Sequence, residues 1–487
     1  MTSKETKGTD RLLFFCTSCG TESIKWQGRC GACGEWNSMR EHTSLSRAGM
    51  SSSMRSSSTT KPGAAHELHD AATPLTELRR SEHPRIFAGL AECDRVLGGG
   101  CVPGSLILIS GDPGVGKSTL VLQILKGLAF QGHSILYISG EESPQQILMR
   151  ADRLGAVHNK IVIAPVTELG AIFELCEKQK PAFLVIDSIQ TIASDEYPSS
   201  PGSILQVREC SARLMSFCKQ NRITCFIIGQ VTKEGQIAGP RLLEHLVDTV
   251  LYLEGDSAMG VRLLRSMKNR FGSTGEMGVF MMSERGLEDV ANPSALFIGS
   301  SQDAPSSGSA LSVAVEGTRA IMVEIQVLVG SATYASPRRV VSGMDQSRLA
   351  ILIAILEKRA GLNFSQNDVF GSVAGGLRVS ESAHDLATAA ALISSHRNLV
   401  LDSKSCFFGE ISLAGAVRAV PHTSARVKEA AKLGVHTIFL PHSSYESDRR
   451  ALDEAVASGR TQKETGQPRT SIVPIRHVGD LLDAIQR

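Results

Sequence analysis

The chain has 487 residues, of which 42% are hydrophobic and 21% are charged, a composition typical of a globular protein with about three domains. Its formal net charge of +2 excludes a strong overall field that would attract a polyanion, so any surface for nucleic acid must be local. No apolar run reaches the roughly 20 residues of a membrane-spanning helix, and the polar N-terminus lacks the apolar segment of a secretory signal, so we expect a cytoplasmic protein that makes no membrane contact.

Two C-x-x-C-Gly motifs stand near the N-terminus, and ten residues separate them. Cys16 and Cys19 belong to the first motif, and Cys30 and Cys33 belong to the second. Four thiolates at this spacing suit a tetrahedral Zn²⁺ ion, and the glycine after each motif permits a tight turn around the metal. A redox dithiol explains the pattern less well, because the same trailing glycine occurs twice. Residues 1–40 are therefore predicted to form a four-cysteine zinc finger that depends on its metal for folding.

Two further features bear on how this zinc finger would act. Trp26 and Trp36, the two tryptophans of the chain, either cover the metal site or stack on a base or a protein partner, and covering is the favoured interpretation. Residues 41–84 are rich in serine and punctuated by glycine and proline, so they cannot bury enough apolar surface to order themselves. We predict that this segment is a flexible linker and that the zinc finger is a mobile appendage.

The next predicted elements are a strand, a glycine-rich loop and a helix, in the order that a phosphate-binding loop requires. The strand is predicted over Leu106–Ile109 and the helix over Leu120–Ala129. Glycines let the backbone N–H groups of the loop point into one concavity, and the start of the helix adds a partial positive charge. The residues assigned to nucleotide binding are Gly111, Asp112, Pro113, Gly114, Val115, Gly116, Lys117, Ser118 and Thr119. Lys117 would contact the β- and γ-phosphates and Ser118 would ligate Mg²⁺, so the sequence predicts binding of a nucleoside triphosphate. A chance glycine-rich turn is a much weaker explanation, because both flanking elements are present.

Beyond this loop, strands alternate with helices, which predicts a parallel sheet with both faces covered. Residues 85–299 are therefore predicted to form an α/β ATPase domain. Asp187 ends an apolar strand, where its carboxylate would lie beside the magnesium ion at the carboxyl edge of the sheet. Glu141 and Glu142 follow another strand, and a carboxylate there could polarise the attacking water. Glu141 is the favoured catalytic residue, and the alternative for either is an acid that stabilises the start of a helix.

Polar and basic residues follow the last of these alternating strands. Gln230 stands at the tip of that strand and is a candidate sensor of the γ-phosphate, with an ordinary polar strand end as the alternative. The predicted strand Val261–Gly272 contains four basic residues within nine positions. Its Lys268 and Arg270 belong either to a solvated edge strand or to a surface that meets the γ-phosphate bound by a neighbouring subunit.

Four of these motifs together resemble the bacterial RadA family of DNA-repair proteins. They are the zinc knuckles, the loop GDPGVGKST, the strand end LVIDSIQT and the pentad KNRFG, which is the most family-specific part. The resemblance covers nearly the whole chain and implies a RecA-like, DNA-stimulated ATPase that forms hexameric rings around DNA. Such proteins promote branch migration after strand invasion by RecA. The resemblance also implies that Glu141 is catalytic and that Lys268 and Arg270 act on the nucleotide of the adjacent subunit.

The C-terminal part of the chain resembles the proteolytic domain of Lon. After a linker at residues 300–310, residues 311–487 are predicted to form an α+β domain. Lon uses a serine nucleophile with a lysine base, whereas this sequence has Ala383 and Ser424 at the matching positions. Alanine has no nucleophilic atom and serine cannot act as the base, so we expect no protease activity. Oligomer scaffolding and contact with duplex DNA remain as the expected roles.

These interpretations give one expected function and one alternative. The expected function is a DNA-dependent ATP hydrolase with ATP, Mg²⁺ and Zn²⁺ as cofactors, in which Gln230 reports the nucleotide state to the loop that follows it. Lys233 and Arg241 would then hold DNA phosphates. The expected partners are single-stranded and branched DNA, RecA, and further copies of the chain in a hexamer. The alternative is a RecA-fold hexameric ATPase that acts on a protein partner.

Overall fold

The computed structural model describes residues 12–16, 22–23, 25–31, 34, 36, 39–43, 85–197, 199–229, 243–255, 260–298, 306–332, 337–459 and 470–486. These residues divide between two compact units. The first unit takes in the described residues up to Leu253 together with Met267–Gly272 and Glu284–Gly286, and the second takes in Glu254–Ser266, Ser273–Ser283 and the described residues from Leu287 onwards. The predicted domain limits at residues 40, 84, 299 and 310 stay predictions. Within the described ranges, no helix combines the length and the hydropathy needed to cross a membrane.

The N-terminal segment of the first unit forms a small antiparallel sheet. Strand β1 (Leu12–Cys16) pairs on one side with β2 (Glu22–Ser23) and on the other with β3 (Met39–Thr43). In the described part of this segment, Cys30 and Met39 are buried and pack with Phe14. Such a small core supplies little folding free energy, so the fold needs another source of stability, as the expected zinc ion would provide.

The main sheet has nine strands in the order β12-β11-β10-β9-β4-β8-β7-β5-β6. They are β4 (Leu106–Gly111), β5 (Ile135–Ser139), β6 (Ile161–Ala164), β7 (Phe183–Asp187), β8 (Thr224–Ile228), β9 (Thr249–Gly255), β10 (Val261–Asn269), β11 (Met277–Ser283) and β12 (Gly286–Asp289). All pairings among β4 to β9 are parallel, which confirms the predicted parallel core, whereas β10 and β11 are antiparallel. The basic strand β10 lies between β9 and β11. Strand β11, which was not predicted, pairs with β10 over Val261–Arg265, so this part of β10 is not an edge strand. Lys268 and Arg270 lie beyond the paired residues, and the choice between their two interpretations stays a prediction.

In the described part of the first unit, five helices precede or connect the parallel strands: α1 (Ala91–Val96), α2 (Lys117–Phe130), α3 (Pro144–Arg153), α4 (Leu169–Gln179) and α5 (Ile204–Asn221). Helix α2 begins three residues before its predicted start, because Gly116 adopts φ 113° and turns the loop directly into the helix. Helix α3 begins with Pro144 after Ser143, whose hydroxyl accepts a hydrogen bond from the backbone of Gln146. Aliphatic residues of the parallel strands pack against α4 and α5 and form the core of this unit.

The second unit is built around a seven-stranded mixed sheet in the order β15-β16-β14-β13-β17-β20-β21. The seven strands of this sheet are β13 (Ser309–Glu316), β14 (Arg319–Ser331), β15 (Arg339–Ser342), β16 (Asn367–Val373), β17 (Ser405–Phe407), β20 (Thr437–Pro441) and β21 (Ser471–Ile475). A separate two-stranded sheet is formed by β18 (Glu410–Ile411) and β19 (Val417–Arg418). Its helices are α6 (Ser294–Phe297), α7 (Gln346–Ala360), α8 (Asp385–Arg397), α9 (Thr423–Lys432), α10 (His442–Gly459) and α11 (Val478–Gln486). Antiparallel strands, parallel strands and helices thus give the α+β architecture that the sequence predicts. Helix α8 is buried along most of its length, and its alanines let the sheet approach closely.

Candidate active site

A pocket of about 340 Å³ opens in the first unit at the carboxyl edge of the parallel strands. Its lining residues are Pro113, Gly114, Gly116, Lys117, Ser118, Thr119, Glu141, Glu142, Arg150, Asp187 and Ile228. Three groups that the sequence predicted separately therefore meet here, namely the glycine-rich loop, the acidic turn after β5 and the end of β7. Such an edge is where nucleotides bind in open α/β sheets.

The loop after β4 has a backbone that only glycine accommodates at its first position. A Cβ atom on Gly111 would lie 2.0 Å from the carbonyl oxygen of Leu253, so any side chain there would force β4 and β9 apart. Gly114 and Gly116 both adopt left-handed conformations, with φ of 76° and 113°. The glycine pattern read from the sequence thus corresponds to a close strand contact and to two required turns.

Lys117 is buried at the first position of α2 and points back across the loop. Its Nζ atom donates hydrogen bonds to the carbonyl oxygens of Gly111 at 2.8 Å and Asp112 at 3.0 Å. Burial lowers the pKa of Lys117, and the nearby Asp112 and Asp187 carboxylates oppose that shift. A phosphate group in the pocket would give this amine a charged partner in place of the two neutral carbonyls.

Asp187 ends β7 and receives hydrogen bonds from two hydroxyl groups. Its Oδ2 atom accepts from Ser118 at 3.1 Å and from Tyr137 at 2.5 Å. Burial raises the pKa of Asp187, while the two hydrogen bonds act in the opposite direction. Burial and the neighbouring Asp187 also hold the pKa of Tyr137 well above its usual value, so this tyrosine stays a donor. Ser118 and Asp187 present adjacent hydroxyl and carboxylate oxygens, the donor type that Mg²⁺ prefers, so these residues fit the expected ion.

Tyr137 belongs to the site although it lies in none of the motifs that predicted the site from the sequence. The available signal was a single hydroxyl-bearing aromatic residue inside the otherwise apolar body of strand β5, where a buried tyrosine needs a hydrogen-bond partner. Strand register then supplies the partner, because β5 and β7 are neighbours and Tyr137 lies two positions before Ser139, the register partner of Asp187.

Removing the Tyr137 hydroxyl is expected to raise the Mg²⁺ concentration that ATP hydrolysis requires. In Tyr137→Phe, Asp187 loses a hydrogen bond that favours its ionised form, so the pKa of Asp187 rises further. We expect the Mg²⁺ concentration for half-maximal ATP hydrolysis to increase about 10- to 100-fold, as for other partners of metal ligands. A protonated Asp187 cannot ligate Mg²⁺. As the pH is lowered, ATP hydrolysis by this variant should therefore begin to decline at a higher pH than hydrolysis by the wild type. Tyr197→Phe, which alters a tyrosine outside the pocket, is the control, and an unchanged Mg²⁺ requirement in Tyr137→Phe would contradict the assignment.

The two consecutive glutamates after β5 have different partners. Glu141 accepts a hydrogen bond from the hydroxyl of Ser188, the residue after Asp187. Glu142 instead forms a two-pronged ion pair with Arg150, with both of its carboxylate oxygens engaged at 2.7 and 2.8 Å. The Glu141 carboxylate is thus hydrogen-bonded to the residue that follows Asp187, which supports the predicted choice of Glu141 as the residue that acts on water.

Three parts of the chain are similar to known protein families. Residues 86–164 match the KaiC family of ATPases, residues 14–41 match a rubredoxin metal-binding domain, and residues 332–444 match subunit ChlI of Mg-chelatase. The DNA repair protein RadA of Bacillus subtilis is 46% identical over 438 residues, which cover 89% of this chain and 93% of that relative. RadA of Pseudomonas aeruginosa is 44% identical over 453 residues, with coverage of 93% and 98%. RadA of Synechocystis sp. is 45% identical over 454 residues, with coverage of 88% and 89%.

The chain belongs to the RadA family of DNA repair proteins. This membership confirms the resemblance seen in the sequence, and together with the KaiC match it identifies a DNA-repair ATPase. The predicted fold class is also confirmed, because a metal-binding ribbon, an ATPase core and a C-terminal domain with a Lon- and ChlI-like fold follow one another along the chain.

The basic pair of the RadA pentad is held by other residues of the same unit. The Nζ atom of Lys268 donates to the carbonyl oxygens of Glu244 at 2.5 Å and Val247 at 2.9 Å. The guanidinium of Arg270 lies 3.6 Å from a carboxylate oxygen of Asp248, and 52% of its side chain is exposed. The pentad therefore has a defined conformation within one chain, and its arginine remains accessible from outside.

The pentad lies at the opposite edge of the sheet from the pocket. The backbone N–H of Arg270 donates to the carbonyl oxygen of Asp248 at 3.1 Å, and the carboxylate of Asp248 accepts from the backbone N–H of Leu106 at 3.1 Å. Leu106 is the first residue of β4 and Gly111 is the last. At about 3.3 Å per residue, roughly 16 Å of strand separates the pentad from the start of the phosphate loop.

The predicted zinc ligands are only partly within the described residues. Cys30 is buried and Cys16 is the last residue of β1, whereas Cys19 and Cys33 lie outside the described residues. For this reason the described ranges contain no group of three His, Cys, Asp or Glu residues that could hold a metal. The match of residues 14–41 to a rubredoxin metal-binding domain implies zinc all the same.

The tryptophans of this module are exposed. Trp26 is 59% exposed and Trp36 is 69% exposed, and the guanidinium of Arg29 lies 5.8 Å from the ring centre of Trp36. This exposure favours the second interpretation of the two rings, a contact with a base or a protein.

The predicted nucleotide sensor and the predicted DNA contacts lie outside the described residues. They are Gln230, Lys233 and Arg241. The described strand that precedes them is β8, and its last residue, Ile228, lines the pocket.

The C-terminal domain lacks the serine and lysine of the Lon dyad at the two matched positions. Ala383 is buried in the short turn before α8, and Ser424 lies in the first turn of α9. The nearby buried cation is Arg426, and its guanidinium is paired with the carboxylate of Glu381. Alanine stands where Lon has its serine nucleophile and serine stands where Lon has its lysine base, so these two positions do not reproduce the Lon dyad.

Proposed function

We propose that the chain is a DNA-dependent ATPase that works as a hexameric ring in the cytoplasm and drives branch migration after strand exchange by RecA. The RadA relatives bear the name of DNA repair proteins, which supports a role in repair. The protein is proposed to move along single-stranded and branched DNA and to hydrolyse ATP as it does so.

The observation that carries this proposal is the separation between the basic pair and the pocket. Lys268 and Arg270 lie at the amino edge of the sheet, about one strand length from Gly111 at the carboxyl edge. An arginine side chain cannot span that distance, so Arg270 cannot serve the nucleotide bound by its own chain. If it contacts a γ-phosphate, that phosphate belongs to an adjacent subunit. Repetition of such a head-to-tail contact gives a ring when the rotation between subunits closes, as we propose here.

The chemistry follows from the residues around the pocket. Lys117 and the N–H groups of the loop would hold the β- and γ-phosphates, and Glu141 would orient the attacking water. Ser118 and Asp187 would hold Mg²⁺, which neutralises charge on the phosphates. Arg270 of the adjacent subunit would stabilise the charge that develops during transfer of the phosphoryl group to water.

The link to DNA is proposed through the segment that follows β8. Gln230 would detect the γ-phosphate, and Lys233 and Arg241 would contact the DNA backbone. Contacts to phosphates carry no sequence information, so we expect little sequence preference and a steep loss of affinity with salt. The zinc module and the C-terminal domain are proposed as further contacts to RecA or DNA.

The discriminating experiment is ATP turnover with and without single-stranded DNA. We expect a several-fold stimulation by DNA, because a motor couples hydrolysis to its track. Lys233→Ala should reduce this stimulation and lower the salt dependence of binding by about 0.7 in logarithmic slope per lost contact, while turnover without DNA stays unchanged. Lys160→Ala, an exposed lysine elsewhere, is the matched control. If no form of DNA changes the rate of ATP turnover, the proposed DNA motor is refuted. That result would support the alternative, a hexameric ATPase that acts on a protein partner.

A further inference from the structure

The nucleotide pocket contains a second cation that the mechanism above does not use. Arg150 lines the pocket together with Lys117, although it comes from α3 rather than from the phosphate loop. Its guanidinium binds both carboxylate oxygens of Glu142, at 2.7 and 2.8 Å, and about a quarter of its side chain is exposed. An ion pair therefore forms part of the wall of a site that must accept a highly charged ligand.

Local structure holds this pair in place. The hydroxyl of Ser139 donates to the carbonyl oxygen of Glu142 at 2.6 Å and accepts from its backbone N–H at 3.2 Å. The next residue, Ser143, caps α3, and Ile147 and Ala151 of this helix are buried. Because the turn and the helix are both fixed, the Arg150 guanidinium can move only by rotation of its own side chain.

The surroundings of Arg150 suit a ligand of high negative charge. The groups that act on its guanidinium are Glu142, Tyr137 and Asp187, of which only Glu142 bonds to it directly. A guanidinium stays protonated at any working pH, and its planar fork matches phosphate oxygens as well as it matches a carboxylate. The terminal phosphate of ATP would thus compete with Glu142 for the same donors.

We propose that Arg150 is a second cation for the terminal phosphate of ATP within the same chain, and that Glu142 holds it when that phosphate is absent. Resting on the proposed nucleotide site, this assignment makes Arg150 a residue that distinguishes ATP from ADP. ADP lacks the phosphate that competes with Glu142, so the ion pair persists in its presence. Glu142 is a positioning residue. Its carboxylate opposes ATP binding, because the free energy needed to release Arg150 from the ion pair is subtracted from the free energy of binding.

The test compares the affinities of purified full-length variants for a non-hydrolysable ATP analogue and for ADP. In Arg150→Ala the analogue should bind about 10- to 100-fold more weakly, the range of one charge-assisted hydrogen bond, while ADP binds as in the wild type. In Glu142→Gln the competing charge is gone, so the analogue should bind several-fold more tightly and ADP again as before. Arg150→Lys should restore part of the analogue affinity, because it keeps the charge but not the fork.

The two variants are expected to change the affinity for the ATP analogue in opposite directions, which distinguishes this proposal from a purely structural role of the ion pair. If the pair only supports the fold, both variants would weaken both nucleotides and lower the thermal unfolding midpoint, and that result would overturn the proposal. Equal losses for analogue and ADP in Arg150→Ala would overturn it as well. Failure of the nucleotide site itself has a different signature, since Lys117→Ala would then bind both nucleotides like the wild type.

Discussion

Replacing Lys117 with alanine is expected to abolish ATP hydrolysis. Its amine is buried in the loop, 2.8 and 3.0 Å from two carbonyl oxygens that border the phosphate position. Alanine would remove the only lysine among the residues that line the pocket in the described part of the chain. Loss of one preorganised donor typically costs about 10²- to 10³-fold in rate, and loss of a formal charge adds to that cost. Phosphate release at saturating ATP measures the effect, and ATP-driven branch migration should disappear with it.

A second lysine of the same helix provides the control. Lys126 lies in α2 beyond the pocket, and its Nζ donates to the carbonyl oxygen of Leu154 at 3.0 Å. Lys126→Ala removes the same charge from the same helix, and it should hydrolyse ATP at nearly the wild-type rate. Retained hydrolysis in Lys117→Ala would place the nucleotide elsewhere in the molecule and would remove the basis of the site described here.

The parts of the site that follow strands could be predicted from the sequence. Parallel strands end at one edge, so residues after β4, β5 and β7 had to converge, and the structure brings Lys117, Glu141 and Asp187 to one pocket. The order of strands and helices was enough to predict that these residues share one edge of the sheet, and the glycine-rich motif and the family resemblance assigned their roles.

Residues that reach the site from the side could not be predicted in this way. Arg150 lies two turns into a helix, and its place on the pocket wall depends on the rotation of α3, which a capped turn fixes. Tyr137 lies within a strand, and its contact with Asp187 depends on which strands are neighbours. Both contacts need the three-dimensional arrangement of elements, whereas the strand ends need only their order.

The far side of the sheet was also beyond the sequence analysis. Strands β9 and β11 were not predicted, because the signal used for the core was alternation with helices, and no helix is described between them. Without β11 the basic strand β10 has one neighbour and resembles an edge. Arg265 of β10, one of its basic residues, is paired with Glu254 of β9 and Glu316 of β13, at 2.5 and 2.8 Å.

Replacing Arg270 with alanine is expected to suppress hydrolysis while nucleotide binding is retained. The guanidinium is half-exposed at the amino edge of the sheet, so its proposed target is the nucleotide of an adjacent subunit. An arginine supplied in this manner contributes about 10³- to 10⁵-fold to the rate, which sets the size of the expected loss. Turnover and analogue affinity, measured on the same preparation, separate the catalytic loss from a binding defect.

Lys219 provides a closely matched control for this prediction. Lys219 and Arg270 lie 3.5 and 3.6 Å from the same carboxylate oxygen of Asp248, whose other oxygen accepts from the backbone of Leu106. If Arg270→Ala acted only by disturbing Asp248, Lys219→Ala would reduce turnover as well, and we expect that it does not.

Mixed rings then decide whether the arginine acts between subunits. Arg270→Ala and Glu141→Gln chains are each expected to be inactive alone. In a mixture, an Arg270→Ala subunit keeps its own Glu141. A Glu141→Gln neighbour can supply Arg270 to it, so some of the subunit interfaces again contain both residues. Turnover that rises above that of either variant alone requires residues from two chains at one nucleotide. A mixture that stays as inactive as its components would confine the site to a single chain, and the roughly 16 Å between the pentad and the phosphate loop would then have no catalytic meaning.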